Sequence, residues 1–114
     1  MSRDNFEAIK KRIKKFCDDR DWSQFHDPKN LAISLQLEAS EVLELFQWTK
    51  DNALKQEKEE EIEDELADVF YWLIMLSNYY EVDLLDALEK KMDKNEAKYP
   101  IEKAKGRSAK YTEL

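Results

Sequence analysis

The sequence predicts an all-α fold whose core is an antiparallel pair of helices. Turn-forming residues are scarce, because the 114 residues include one glycine and two prolines, and a sheet needs more turns than these supply. Apolar residues also recur at helical spacing in four stretches of the chain. At this length we expect one domain, residues 1–114, with a helical core over about 4–99 and a polar tail over 100–114.

Composition narrows the class of protein. The formal net charge is −7, with 39% charged and 42% hydrophobic residues, which is too apolar for a disordered acidic tail and too acidic for a general nucleic-acid binder. The single cysteine, Cys17, excludes an intrachain disulfide and fits a reducing compartment. The longest charge-free run, Val69 to Tyr80, is too short to cross a bilayer. We therefore expect a cytoplasmic protein that binds neither nucleic acid nor membranes.

The first helix is expected from about Asp4 to Arg20. Its apolar stripe recurs at helical spacing and consists of Phe6, Ile9, Ile13 and Phe16. Cys17 borders this stripe, and we expect it to be a small buried residue rather than a reactive thiol. The basic residues between them are expected to face solvent: Lys10, Lys11, Arg12, Lys14 and Lys15.

The second helix follows a loop that contains Trp22, Phe25 and His26. Asp27 is a capping residue and Pro28 suits the first helical position, so the helix is expected from here to about Trp48. Its apolar stripe consists of Leu31, Leu35, Val42 and Leu45. Glu38 falls on that stripe and Glu41 lies beside it, where a solvated glutamate is not expected.

The third helix is expected from about Glu57, after a connection over residues 49–56. An acidic run through Glu65 suits its N-terminal end. From Leu66 to Leu76 the sequence is apolar on nearly every side, which is typical of a helix buried all round. So few helices cannot cover that surface, and we expect a homo-oligomer, either a dimer or a tetramer built as a dimer of dimers. Asp68 enters this segment with no basic residue nearby in sequence.

The fourth helix is expected from Leu84 to about Lys98, after a short break at Glu81–Asp83. Tyr99 precedes a proline, Pro100, and this dipeptide ends the helix. One side of the helix carries the apolar residues Leu85, Leu88 and Met92.

Two acidic pairs lie in the predicted hairpin, Glu38 with Glu41 and Glu65 with Asp68. Residues three apart share a helix face, so each pair directs two carboxylates toward one point. A short connection makes the helices antiparallel, and both pairs then lie roughly 10–12 Å from the turn. Four carboxylates at one point repel each other unless a cation binds, and hard oxygen ligands suit Mg²⁺ or Mn²⁺.

The acidic pairs can also be interpreted without magnesium. An acidic pair alone is a weak signal, because the same spacing recurs without an expected function at Glu57/Glu60, Glu60/Glu63 and Asp86/Glu89. A di-iron site would require Glu-x-x-His on two helices, and the one histidine, His26, lies outside the predicted helices. Salt bridges from the four acids to lysines of other helices are the purely structural alternative.

Tryptophans are the other candidate site residues. A core role is the default for Trp22, Trp48 and Trp72, but Trp48 and Trp72 fall roughly on the carboxylate-bearing faces. An aromatic wall beside a metal site suits stacking of a nucleobase. His26 could then contact the base edge or the sugar, although by itself it is a typical loop residue.

The chain resembles the MazG-like, all-α nucleoside triphosphate pyrophosphohydrolases, most closely their dCTP pyrophosphatase branch. The resemblance rests on Glu38-x-x-Glu41 followed by Glu65-x-x-Asp68. Further matching stretches lie between about Asp19 and Leu114 and include Arg20-Asp21-Trp22, Phe25-His26-Asp27-Pro28-Lys29-Asn30-Leu31, Leu45-Phe46-Gln47-Trp48, Lys91-Met92-Asp93-Lys94-Asn95, Tyr99-Pro100 and Lys110-Tyr111-Thr112.

The resemblance implies hydrolysis between the α- and β-phosphates of a nucleotide, which yields a nucleoside monophosphate and pyrophosphate. It assigns Mg²⁺ binding to Glu38, Glu41, Glu65 and Asp68, and the nucleoside pocket to Trp22, His26 and Trp48. Trp72 stands where the branch often has tyrosine, and Lys91, Asn95 and Tyr99 match residues that approach phosphate and sugar. Members of the family form dimers or tetramers in which helices of paired subunits make a four-helix bundle.

The expected chemistry uses Glu41 as the carboxylate that orients or deprotonates water, and Lys91 to stabilise charge on the leaving pyrophosphate. The expected substrate is dCTP or a modified cytosine deoxynucleotide, and the expected role is cleansing of the nucleotide pool. A non-catalytic helical interaction module, with the four acids as interfacial salt bridges, is the alternative from another class. The two hypotheses differ in metal and nucleotide binding.

Overall fold

The structure is a computed structural model that describes residues 1–49, 54 and 58–114. It confirms the all-α prediction, since these residues form helices and turns and no strand. The helices are α1 (Arg3–Asp19), α2 (Pro28–Glu44), α3 (Glu59–Tyr79), α4 (Leu84–Lys98) and the short α5 (Ile101–Ala104). Short 3₁₀ turns occupy Ser23–Phe25 and Tyr111–Glu113. Within the described residues, no helix combines the length and apolarity needed to cross a membrane.

The chain divides into two compact units, Met1–Glu81 and Val82–Leu114. The first unit contains α1, α2 and α3, and the second contains α4 and α5. In the first unit α2 and α3 form the most extensive helix–helix contact, and α1 also packs on α3. The expected hairpin core is therefore present, while the expectation of one domain stays a prediction.

Helix α1 starts where its sequence provides a cap. The Ser2 hydroxyl accepts a hydrogen bond from the Asn5 backbone N–H at 3.1 Å, which satisfies a donor that the helix leaves free. Phe6 and Cys17 are each 2% exposed, and the Phe6 ring stacks on Phe70 of α3 with centroids 6.1 Å apart. The prediction that Cys17 is a small buried residue is confirmed.

Helix α2 begins as predicted and ends earlier than predicted. The Asp27 carboxylate accepts from the Asn30 N–H at 2.8 Å, and Pro28 occupies the first turn. The predicted end near Trp48 is wrong by about one turn, since the helix stops at Glu44. After Glu44 the backbone N–H groups donate to carbonyls three residues back rather than four. Trp48 has a φ of 69°, the left-handed conformation that ends helices.

Helix α3 is described from Glu59 onward, and its predicted start at Glu57 lies outside the described residues. The same holds for most of the predicted connection over 49–56. Ile74 is 1% exposed, so this face of the helix packs within the subunit. Other apolar side chains remain open in the single chain, with Leu66, Phe70 and Leu73 exposed by 53%, 37% and 39%. Asp68, expected within a buried segment, is also exposed.

The second unit confirms the predicted bounds of α4. The Asp83 carboxylate caps the helix by accepting from the Asp86 N–H at 3.1 Å, and the helix ends at Lys98, just before Tyr99 and Pro100. The expected polar tail is more ordered than its composition indicates. It contains α5, and the Tyr111 ring packs edge to face on Tyr99 with centroids 6.1 Å apart.

Candidate active site

The four predicted carboxylates converge between α2 and α3. Glu38, Glu65 and Asp68 each offer an oxygen, and these three atoms lie within 4.8 Å of one another. Glu41 joins them, because its carboxylate lies within hydrogen-bonding reach of both Glu38 and Glu65. These four residues are called the carboxylate cluster below. Their proximity follows from the geometry, while their role as metal ligands stays a prediction.

The cluster forms because two helical faces meet in opposite directions. Glu38 lies near Asp68, and Glu41, one turn later on α2, lies near Glu65, one turn earlier on α3. This pairing requires antiparallel helices at matched height, as the sequence predicted. Leu31 and Leu45, which are 1% and 8% exposed, anchor α2 on either side of its two glutamates.

Repulsion within the cluster perturbs its protonation. A hydrogen bond with Glu41, reinforced by burial and by the neighbouring carboxylates, raises the pKa of Glu38 to about 7. The pKa of Glu65 is raised first by its hydrogen bond with Glu41. The pKa of Glu41 is lowered, because Glu38 and Glu65 donate to it. Without metal, the cluster therefore retains a proton near neutral pH, and Glu41 ionises more readily than Glu38 or Glu65.

Two buried oxygens of the cluster have unused bonding capacity. Glu38 Oε2 and Glu65 Oε2 have no hydrogen-bond partner among the described residues. Within the described part of Met1–Glu81, no lysine or arginine forms an ion pair with any cluster member. An all-oxygen donor set of this kind fits a hard divalent cation such as Mg²⁺ or Mn²⁺. The salt bridges considered as the alternative are not formed within this unit.

A pocket of about 510 Å³ opens beside the cluster, and Glu38 and Asp68 form part of its wall. This volume lies in the range typical of small-molecule sites. The pocket is formed by α1, α2, α3 and the loop before α2. Its lining within the described part of the chain consists of Ile9, Arg12, Ile13, Phe16, Trp22, Glu38, Asp68, Tyr71 and Trp72.

The apolar wall of this pocket is a continuous series of edge-to-face rings. Trp22 packs on Phe16 with centroids 5.5 Å apart, and Phe16 packs on Tyr71 at 6.4 Å. Tyr71 packs on Trp72 at 5.0 Å, and Trp72 on His26 at 5.9 Å. Such pairs hold each ring by its neighbours, so the wall offers a preformed aromatic surface.

The predicted pocket residues divide into two groups. Trp22 and Trp72 line the pocket. His26 contacts Trp72 edge to face without lining the pocket, and its buried Nδ1 has no hydrogen-bond partner among the described residues. Trp48 is 85% exposed and does not line this pocket. The early end of α2 explains the difference, because the tryptophan no longer continues the helical face of Glu41.

Helix α1 contributes to the pocket, which was not predicted from the sequence. Arg12, expected to face solvent, is exposed but also lines the pocket. It follows Ile9 by three residues and precedes Phe16 by four, which places it on the apolar face. That spacing was visible in the sequence and could have identified it. Tyr71, which also lines the pocket, was missed because the whole segment around it is apolar.

A second pocket, of about 410 Å³, lies on the other side of the cluster. Glu41 and Glu65 face it, so the cluster is accessible from two directions. Lys58 lies in its wall and pairs with Glu61 at 3.2 Å. The described residues that line it are Glu41, Glu44, Leu45, Gln47, Lys58, Glu61 and Glu65.

Three further predicted residues belong to the second unit. Lys91 and Asn95 lie one turn apart on α4, and Tyr99 immediately follows that helix. The Tyr99 N–H donates to the Asn95 carbonyl at 2.9 Å. Their predicted contacts with phosphate and sugar stay predictions.

The chain is similar in sequence to known proteins. Residues 33–114 match the MazG-like family. The human protein dCTP pyrophosphatase 1 is 39% identical over 113 residues, which cover 95% of this chain and 66% of that protein. The bovine protein of the same name is 36% identical over 118 residues, covering 99% of this chain and 70% of that protein. The chain thus spans about two thirds of the length of these relatives.

A solved structure is similar in fold as well as in sequence. It is a pyrophosphatase from Archaeoglobus fulgidus that is 38% identical, with a TM-score of 0.73. The match covers 84% of this chain and 93% of that chain. The helical arrangement described above is therefore shared with a pyrophosphatase of nearly equal extent.

Proposed function

Because this chain belongs to the MazG-like family, we propose that it is a Mg²⁺-dependent nucleoside triphosphate pyrophosphohydrolase. The proposed substrate is dCTP or a modified dCTP, and the products are the nucleoside monophosphate and pyrophosphate. One observation carries the proposal: the carboxylate cluster lies at the wall of an aromatic pocket large enough for a nucleoside. The names of the mammalian relatives support the choice of nucleotide.

The cluster residues Glu38, Glu41, Glu65 and Asp68 are proposed to hold Mg²⁺. The two buried oxygens without partners support this role, since a cation would satisfy both. When bound, the ion would neutralise phosphate oxygens and lower the pKa of a water molecule. Mn²⁺ has the same ligand preference and is proposed as a substitute.

Glu41 is proposed to orient the attacking water and accept its proton at a carboxylate oxygen. Two features favour Glu41 over the other cluster members. Its pKa is lowered, so it is ionised when Glu38 still carries a proton. It also faces the second pocket, from which water can reach it without crossing the nucleoside pocket.

The aromatic wall is proposed to bind the base. Trp22 and Trp72 supply ring surfaces for stacking, and His26 packs edge to face on Trp72. Trp48 keeps its proposed role in the nucleoside pocket on the basis of the family resemblance alone. Its exposed side chain is free to take part in a pocket wall completed by assembly of subunits.

Lys91, Asn95 and Tyr99 are proposed to bind phosphate and sugar. Lys91 would stabilise negative charge that develops on the leaving pyrophosphate. Removing non-standard or excess nucleotides from the cytoplasmic pool is the role proposed for this activity.

We further propose that the protein is a homo-oligomer, either a dimer or a dimer of dimers whose paired helices form a four-helix bundle. Leu66, Phe70 and Leu73 leave a partly exposed apolar surface on α3 that a second copy would cover. Leu73→Asp should dissociate the assembly, whereas Ile101→Asp, at a residue 77% exposed on α5, should not. Sedimentation of both variants at low micromolar concentration provides the test, and an active wild-type monomer would contradict the proposal.

The alternative function is a non-catalytic interaction module. Such a module would bind neither Mg²⁺ nor nucleotide, and its acids would pair with basic residues of a partner. Glu38 Oε2 and Glu65 Oε2 have no hydrogen-bond partner among the described residues. The interaction module therefore requires a partner protein whose lysines or arginines pair with these two carboxylates.

The decisive experiment is a panel of canonical and modified NTPs and dNTPs incubated with Mg²⁺, with pyrophosphate and orthophosphate measured separately. We expect pyrophosphate and a monophosphate, with a cytosine deoxynucleotide as the best substrate. Release of orthophosphate with a diphosphate would contradict the reaction, and no turnover of any nucleotide would favour the interaction module.

A further inference from the structure

Among the described residues, Arg12 is the one positively charged residue that lines the aromatic pocket. It lies on α1 between Ile9 and Phe16, which also line the pocket, so the helix presents the arginine to the cavity together with its apolar face. Half of the other described lining residues are aromatic. Arg12 is also exposed, so its guanidinium is accessible to a ligand that enters the pocket.

Arg12 has no partner within the described residues. The Arg12 guanidinium forms no hydrogen bond or ion pair with any of them, including the two carboxylates in the same pocket. On the same helix Lys14 and Lys15 each pair with an aspartate one turn later at 2.6 Å. Lys11, like Arg12, has no partner among the described residues, but Lys11 does not line the pocket. Arg12 therefore keeps its five N–H donors available to whatever enters the pocket.

We propose that Arg12 selects the base of the bound nucleotide by donating two parallel hydrogen bonds to adjacent acceptors on the base edge. The proposal rests on the proposed function, because it assumes that the pocket holds a nucleoside. A planar guanidinium fork fits two neighbouring acceptors, and a lysine ammonium does not reproduce that geometry. The aromatic wall meanwhile binds the face of the ring, which all bases share.

Cytosine has the required pair of acceptors, at O2 and N3. Uracil keeps the acceptor at O2 but carries an N–H donor at N3. One hydrogen bond is therefore lost, and the N3–H of the base faces a guanidinium N–H. Discrimination of this kind leaves a buried donor unpaired when the wrong base binds, which costs more than the loss of a contact. Arg12 would therefore favour cytosine over uracil, while ring stacking would not distinguish them.

Binding of dCMP and dUMP, measured by calorimetry, tests the proposal without requiring hydrolysis. The proteins are the wild type, Arg12→Lys, Arg12→Met and the matched control Lys11→Met, which removes the same charge from the neighbouring exposed position. We expect the wild type and the control to prefer dCMP on the order of 5- to 150-fold, the range for one bidentate contact. Both Arg12 variants should lose most of that preference, mainly through weaker binding of dCMP.

Two results would overturn the proposal. One is equal weakening of dCMP and dUMP in Arg12→Met with recovery in Arg12→Lys, which would place the guanidinium on phosphate instead. The other is a wild type that binds the two nucleotides equally or not at all. A dCMP preference without pyrophosphate release would instead contradict the proposed reaction and leave this inference standing. Melting curves of all four proteins show whether the variants remain folded.

Discussion

Acidic pairs with one spacing occur in two regions of this protein, and the structure gives them different properties. The carboxylate cluster unites two such pairs across α2 and α3, and it raises the pKa of Glu38 to about 7. The pair Asp86 and Glu89 lies on α4, where Asp86 forms an ordinary surface ion pair with Lys90 at 2.9 Å. Spacing along a helix therefore places two carboxylates together, but only an opposing helix makes a site.

The difference has a simple electrostatic origin. On α4 a lysine one turn away offsets the charge of Asp86, and solvent screens the remainder. In the cluster the nearest charged groups are other carboxylates, and two oxygens have no hydrogen-bond donor among the described residues. The cluster is thus unfavourable by itself, and a divalent cation would reverse the sign of its interactions.

The largest difference is expected in activity. Glu65→Gln should lower kcat/KM by on the order of 10²-fold or more, because a metal ligand supplies several kcal/mol of transition-state stabilisation. Glu89→Gln, with the same chemical change on α4, should leave kcat/KM within about twofold of the wild type. Initial rates of pyrophosphate release at saturating Mg²⁺ provide the measurement.

The same test applies to the other cluster members, as Glu38→Gln, Glu41→Gln and Asp68→Asn. Each removes one charged ligand while nearly preserving shape, so each should lose most of the activity. Full activity in two of the four cluster variants would refute the assignment of the site.

A smaller effect is expected on stability in the presence of metal. At pH 8 and a Mg²⁺ concentration about 100 times Kd, binding should stabilise the fold by about 2.7 kcal/mol, a Tm increase of roughly 10 °C. At pH 5.5 the increase should shrink, because the pKa of Glu38 is raised to about 7 and protons then compete with the ion. Thermal melts at both pH values measure this.

Glu89→Gln serves as the control for that experiment and should show the wild-type response to Mg²⁺. Glu38→Gln should show little response at either pH. A stabilisation by Mg²⁺ that is equal at pH 5.5 and pH 8 would indicate that the ion binds elsewhere.

The smallest effect is expected on the stability of the metal-free protein. The folded-state pKa of Glu38 is raised from 4.5 to about 7, so its contribution is favourable below pH 4.5 and is lost as the pH rises toward 7. Glu38→Gln should therefore stabilise the metal-free protein at pH 8 by ~1 kcal/mol after allowance for solvent screening, with no gain at pH 4. Urea unfolding with a chelator tests this against Glu89→Gln, and a destabilised Glu38→Gln at pH 8 would contradict it.

Much of the fold could be predicted because local chemistry determines it. Asp27 and Pro28 begin α2, and Tyr99 with Pro100 follows the end of α4, as the sequence indicated. Convergence of the cluster could also be predicted, because it requires only helical spacing and a short connection. The family resemblance added the reaction and substrate, which spacing alone does not provide.

Other features depend on tertiary geometry and could not be predicted. The left-handed backbone at Trp48 ends the turns after α2, although its sequence continues the helical pattern. Arg12 differs from these features, because its spacing from Ile9 and Phe16 could have placed it on the apolar face, and only its charge favoured a solvent-facing position. Asp68 is exposed because α1 and α2 leave its face of α3 uncovered. The periodicity of the sequence shows which residues share a face, but it does not show which face the other helices cover.

Direct titration with Mn²⁺, followed by electron paramagnetic resonance, tests the central claim that opposed acidic pairs make a metal site. The wild type and Glu89→Gln should bind the ion equally, whereas Glu38→Gln and Glu65→Gln should bind it at least about tenfold more weakly. Addition of Mg²⁺ should displace the bound Mn²⁺ from the wild type. Unchanged Mn²⁺ affinity in both cluster variants would contradict the account, because the carboxylates that converge would then not be the ligands.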